Sequence, residues 1–234
     1  MSVENFFGHK VNIGSLLEDV KEGCMLHFIE EGKDGYLEMK NFYEMTKDKK
    51  CLFDVGCAFG MFSMVFCHDN NKAAHAFDAS HQTQLSITQN IALNPDMHII
   101  YHKMFLGESD VIRSYHSNNM HALAVQGDDK VVMIKMDSFC ALTNTIPDVI
   151  KIDTEGFEYN VLAGGEEAIT SYRPLMFIEL HPKFCKMYGT QIEQVFELSK
   201  KFNYSIRDIQ NTEITSDYLQ KLNTESLRTI WYPK

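Results

Sequence analysis

The chain has 234 residues, 44% of them hydrophobic and 23% charged, with a formal net charge of −10. That composition is enough to bury a full core, and its acidic balance argues against nucleic acid as a partner, since binding a polyanion needs a lysine and arginine surface. No apolar run approaches the ~20 residues of a membrane helix, and MSVENFFGHKVN lacks a charged region followed by a long apolar one, so no membrane association and a cytoplasmic location are expected.

Residues 1–47 are charged and interrupted (EDVKEG, EEGKDG, KDKK), with helical patterns over 14–30 and 35–46. They predict an N-terminal helical flank on a domain spanning 48–234. Beyond residue 50, short apolar runs alternate with helical periodicity. CLFDVG (51–56) reads as a buried strand ending in glycine, and 60–69 as a helix. KAAHAFDA (72–79) is a second strand, again closing on an acid. A helix follows over 81–94, stopped by Asn94-Pro95, then a strand over 97–105. The polar stretch 107–130 reads as a long loop, a form that is often functional in compact domains, and is expected to act as an acceptor-side lid. VVMIKMDSF (131–139), DVIKID (148–153) and PLMFIELHP (174–182) read as strands. Between the last two lies a helix over 156–172, broken at Gly164-Gly165. A helix over 192–202 and strands over 203–209 and 228–234 complete the chain. This alternation predicts an α/β, Rossmann-like, doubly wound, mostly parallel sheet whose ligands bind beyond the strands' carboxyl ends. The cysteines at 24, 51, 57, 67, 140 and 185 form no CxxC pair and read as buried free thiols of a reducing compartment.

Gly56-Cys57-Ala58-Phe59-Gly60 lies between the first core strand and its helix. Alone, two such glycines are explained by tight strand-to-helix packing. Asp78, however, ends the next strand, where an acid can accept ribose hydroxyls. Together they point to a nucleoside-containing cofactor. The middle glycine of GxGxxG is missing, and the carboxylate of Asp54 suits a cationic amino group better than a phosphate. S-adenosylmethionine is therefore expected over NAD. The candidate cofactor-binding residues are Asp54, Gly56, Cys57 and Gly60, with Phe77, Asp78 and Ala79, with Met104 and Phe105 beside the adenine, and with Asp153.

KIDTEGFEYNVLAGG (151–165) is the most specific stretch. With FDVGCAFG, AFDAS, the LGES loop and RPLMFIELHP it resembles the FkbM family of S-adenosylmethionine-dependent methyltransferases, from about residue 35 to the C-terminus. The resemblance implies a class I methyltransferase fold and O-methylation of a sugar, a glycan or a small natural product. Two departures stand out. Asp78 replaces a glutamate that the family often follows with proline, and Cys57-Ala58 stands where Ala-Asn is common. An alcohol needs a base at its proton or a cation that lowers its pKa. Asp153 or His181 is expected to take the proton, with Glu155 and Glu179 shaping the site. In a variant, Asp153, Glu179 and His181 hold a divalent metal such as magnesium or manganese. The plainer alternative is that some of these acids cap the following helix or orient backbone. Lys151, inside an apolar strand, either snorkels past the strand end or pairs with an acid. A nicotinamide-dependent oxidoreductase and a non-catalytic S-adenosylmethionine-binding module are the competing functions. The first would lack both GxGxxG and a Tyr-x-x-x-Lys arrangement. The acceptor and the oligomeric state are not written in these residues.

Overall fold

The computed structural model describes residues 2–14, 26–118, 121–123, 129–215 and 226–234. The chain opens with an antiparallel hairpin, β1 (Ser2–Phe6) and β2 (His9–Ile13). Phe6, Val11 and Ile13 are buried, and the two-residue period at Val11 and Ile13 is that of a half-buried strand. The expected helical flank is thus strand at its start. Helix α1 (Leu26–Ile29) and helix α2 (Asp34–Met45) supply its helical part, while most of the helix expected over 14–30 lies outside the described residues.

Then follow β3 (Cys51–Val55), α3 (Met61–Phe66), β4 (Ala73–Phe77), α4 (His81–Leu93) and β5 (His98–His102). Ser80 caps α4, its hydroxyl accepting the Thr83 N–H at 3.4 Å. The stretch expected as a loop, 107–130, carries strands, and the strand expected from 131 is present. These strands are β7 (Val111–Asn118), β8 (His121–Leu123) and β9 (Asp129–Ile134), which join the short β6 (Phe105–Leu106) in a separate four-stranded sheet. Tyr115, Val131 and Met133 bury alternate positions there, a pattern that the surrounding polar residues obscure in the sequence. The strand expected over 131–139 also divides, because Lys135 is the N-cap of α5 (Met136–Thr143).

The chain continues through β10 (Val149–Ile152), α6 (Glu158–Ala163), α7 (Glu166–Tyr172) and β11 (Leu175–Leu180), then α8 (Ile192–Lys201), β12 (Tyr204–Asp208) and β13 (Leu227–Pro233). The break between α6 and α7 falls at Gly164, where a Cβ would lie 1.8 Å from the Gly107 carbonyl oxygen. The main sheet has the order β12-β13-β11-β10-β3-β4-β5. From β11 to β5 all neighbours are parallel, and β13 and β12 close one edge antiparallel.

A hydrophobic cluster covers each face. Phe53, Ile150, Ile152, Met176 and Ile178 point to one, shared with α5 to α8. Leu52, Val149, Phe177 and Ile230 point to the other, shared with the hairpin, α2 and α3. Strand β3 leads outward to β4 and β5, and the chain then returns to lay β10 on its opposite side. The carboxyl ends of β3 and β10 therefore flank the switch in strand order, where such sheets bind ligands.

Candidate active site

A cavity of about 460 Å³ opens at this switch point. At one end, β3 and β4 deliver the glycine loop and the second acid. Gly56 and Cys57 donate their N–H groups to the Phe77 carbonyl, which ties the loop to β4. Gly56 has φ +77°, and a Cβ there would lie 1.8 Å from the Asp153 carbonyl oxygen, so only glycine lets the loop pass the end of β10. Asp78 accepts the Ala58 N–H at 3.2 Å through Oδ2 and the Ser80 N–H at 2.9 Å through Oδ1. Burial pushes its carboxyl up to about 7 against those hydrogen bonds. Phe77, Ala79, Met104, Phe105 and Leu106 form the apolar wall beside it.

Asp54 also borders the cavity, but one of its oxygens is occupied. Oδ2 accepts the Ser63 N–H at 3.1 Å and the Ser63 hydroxyl at 2.7 Å, anchoring α3. Burial pushes this carboxyl up to about 6, opposed by Ser63 and Lys151. Gly60 is not a wall residue. It takes φ +83° at the start of α3.

The opposite end is lined by charge. Asp153 follows β10 directly, and its half-buried carboxylate borders the cavity with Glu155 and Glu179. Burial pushes the Asp153 carboxyl up to about 7, with Lys151 opposing and Glu179 adding to the rise. His181 stands behind these acids, outside the cavity wall. Its Nδ1 is 2.9 Å from Glu158 Oε1, and its Nε2 faces Glu155 at 3.7 Å and Asp153 and Glu179 at 3.9 Å. Burial lowers the affinity of this imidazole for a proton. The Glu158 hydrogen bond and the Asp153 and Glu155 carboxylates outweigh that and raise its pKa to about 9. The ring is therefore a cation near neutral pH. Glu155 is not a helix cap. It holds a left-handed φ of +52° in the turn before α6, while Glu158 accepts the Gly156 N–H at 2.9 Å.

The metal arrangement expected from Asp153, Glu179 and His181 does not form. Glu179 is turned to Arg228, at 3.1 Å. The donor atoms that do converge, within 4.8 Å, belong to Asp153, Glu155 and His181. Glu158 holds the imidazole through Nδ1, leaving Nε2 facing the two carboxylates.

Several site residues were missed in the sequence. Lys151 pairs with an acid, as one of its two readings held: Glu38 Oε1 is 3.1 Å from its Nζ. Glu38 on α2 and Arg228 on β13 were not found. Glu38 precedes the buried Met39 and lies four before the buried Phe42, a spacing that already places it on the inner face of α2. The aromatic walls of Phe28, Phe62, Phe157 and Tyr188, and His27 with its buried, unpartnered Nε2, complete the cavity. No described residue between 107 and 130 lines it, so the lid expected there is not part of the described site.

The sequence model of the Methyltransferase FkbM domain matches residues 54–206. The structure is similar to methyltransferase FkbM from Methylobacillus flagellatus KT, with 17% identity and a TM-score of 0.53 over 79% of this chain and 44% of that one. This chain therefore spans less than half the length of that protein. It is also similar to an S-adenosylmethionine-dependent methyltransferase from Clostridium acetobutylicum (8% identity, TM-score 0.52, 92% and 98% covered). An rRNA methylase from Streptococcus thermophilus is similar as well (8% identity, TM-score 0.50, 87% and 98% covered). At these identities the likeness is one of fold. A comparison with curated proteins gives no match. Among the described residues, no helix is long and apolar enough to cross a membrane.

Proposed function

Because the chain belongs to the FkbM methyltransferase domain family, we propose that it moves a methyl group from S-adenosylmethionine to a hydroxyl oxygen of a sugar, a glycan end or a small natural product. The observation that carries this reading is Asp153. Its carboxylate borders the cavity at the switch point, and its pKa of about 7 suits a base working near neutrality.

The other end of the cavity fits the cofactor. Asp78 can accept a ribose diol, and Phe77, Ala79, Met104 and Phe105 make a slot for a flat purine. Asp54, Gly56 and Cys57 would face the methionyl part. When bound, the cofactor supplies an electrophilic methyl on sulfur. An acceptor alcohol entering beside Phe28 and Tyr188 would meet Asp153, which takes its proton. Lys151 and protonated His181 lie near the two oxygens of that carboxylate and keep it aimed at the acceptor. The unpartnered Nε2 of His27 offers a second hydrogen bond for orienting a polyol. The free thiols at 51, 57, 67, 140 and 185 suit a reducing, cytoplasmic setting.

The net charge of −10 favours a small or glycan acceptor over RNA, although one protein of similar fold is an rRNA methylase. The acids retained at Asp78 and Asp153 favour an active enzyme over a non-catalytic module. The test is a screen of deoxysugars and short glycans for a one-methyl mass increase, with calorimetry against S-adenosylmethionine and NAD. Asp153→Asn should lower turnover at least about 100-fold while cofactor affinity stays within a few-fold. Methylation of peptides, lipids or nucleic acids only, or binding of NAD in place of S-adenosylmethionine, would sink the proposal.

A further inference from the structure

The charged groups behind Asp153 form a closed ring in which cations and carboxylates alternate. Lys151 Nζ is 3.1 Å from Glu38 Oε1, and Glu38 Oε2 is 2.9 Å from Arg228 Nε. Arg228 Nη2 is 3.1 Å from Glu179 Oε2, and Glu179 Oε1 is 3.9 Å from His181 Nε2. His181 Nε2 is 3.9 Å from Asp153 Oδ1, and Asp153 Oδ2 returns to Lys151 Nζ at 3.9 Å. Each of the three acids in the ring spends one oxygen on each of two cations.

The fold explains the ring. Glu179 and Arg228 are register partners across β11 and β13. Side-chain alternation puts Lys151, Glu179 and Arg228 on the sheet face covered by α2. Glu38 descends from α2 between the two cations and is 1% exposed. Glu38 and Arg228 both lie outside residues 54–206, the span that matches the family.

We infer that Glu38 and Arg228 are positioning residues for methyl transfer, closing a charge ring that governs proton exchange at Asp153. This rests on the reading of Asp153 as the base. The groups that act on Asp153 directly are Lys151 on its own strand and Glu155 on the following turn, while Glu158 on α6 acts through His181. Glu179 on β11, His181 just after it and Arg228 on β13 also act on it, whereas Glu38 on α2 acts through Lys151 and Arg228, and His27 and Asp34 on the flank act on Arg228, Glu179 and Glu38 or on one another. Asp54 on β3 acts through Lys151. Glu38 neutralises two cations, so removing its charge leaves Lys151 and Arg228 free to favour the Asp153 carboxylate. Removing Arg228 does the opposite, because Glu179 then faces Asp153 uncompensated.

The test is the pH dependence of kcat/KM between pH 5.5 and 9. Glu38→Gln should move the acid limb down by about one pH unit, and Arg228→Gln should move it up by about as much. Arg228→Lys should return it toward wild type. A carbon-13 titration of the Asp153 carboxyl, run without acceptor, should show the same opposed shifts. Arg228 is partly exposed, so its variant decides the matter even where the buried Glu38 tolerates no change. Rates that fall with unmoved limbs, or limbs that move in the same direction, would overturn the inference. Absence of any methyl transfer by the wild type would count against the proposed reaction instead, and the carboxyl titration would still decide the ring.

Discussion

Glu155 is the clearest case of a residue whose backbone disagrees with its type. It occupies the left-handed region, which costs a side-chain-bearing residue about 1–2 kcal/mol. Its carboxylate nevertheless points into the cavity, 3.7 Å from His181 Nε2. Strain held at a ligand-facing position marks a functional residue more than a structural one. Glu155→Gly should therefore melt no lower than wild type, because relief of the strained φ offsets glycine's extra chain entropy of roughly 0.5–1 kcal/mol. The same change should raise the acceptor KM by about tenfold or more, the effect of losing one charged hydrogen bond. A marked fall in thermal midpoint with unchanged KM would reassign Glu155 to the fold. The sequence places this residue in the site through the D-x-E-G-x-E spacing, but its backbone conformation is not legible there. Neither is the role of His181. The sequence offers it as a base on the strength of residue type. Glu158, buried at the first position of α6, makes it a cation behind the site.

At the scale of elements, buried parallel strands were legible because near-continuous apolar runs end in glycine or acid. CLFDVG and DVIKID carry that signal without interference. The segment 107–130 was misread because its strands bury few positions and expose Val111 and Ile112. Its turn residues also look like loop composition. The strand expected over 131–139 ran too far because Met136 and Phe139 continue the apolar pattern across a change of element. Strand pairing also creates a feature that no local pattern announces. In the β4–β5 register, Phe77 is opposite His102 and His75 is diagonal to it. The two imidazoles stack with centroids 5.2 Å apart and with Nδ1 of His75 3.0 Å from Nε2 of His102. Burial, with the neighbouring His102 and His98, lowers His75 from 6.5 to about 4. The fold thus favours the neutral ring. That contribution is complete above the ordinary value and is lost as pH falls from about 6.5 towards 4. After solvent screening it is about 1–2 kcal/mol. His75→Phe should keep the stacking and lose less stability than wild type between pH 7 and pH 4.5 in urea titrations. Parallel losses in the two proteins would contradict the assignment.

For the whole molecule, the sheet order follows from the alternation of strands and helices, whereas the site is completed by segments far apart in sequence. Glu38 and Arg228 meet across 190 positions, and only the assembled sheet with α2 laid over it makes them neighbours. The same whole-molecule view bears on the acceptor. The chain carries a net charge of −10, and Asp153, Glu155 and Glu179 are among the residues that line its cavity. Counterion release makes a protein that grips phosphates steeply salt-dependent, losing about 10³-fold or more in affinity between 50 and 200 mM salt when six or more phosphates are engaged. A neutral polyol, the acceptor proposed above, would displace no such counterions and would be held by hydrogen bonds and by the aromatic rings of Phe28 and Tyr188 that line the cavity. Acceptor kcat/KM should then change by less than about twofold across that salt range. The measurement needs only the acceptor found by the mass-shift screen and a series of potassium chloride concentrations. A steep negative slope of log kcat/KM against log salt would replace the sugar with a polyanion and would require a basic surface that this acidic chain must concentrate in one place.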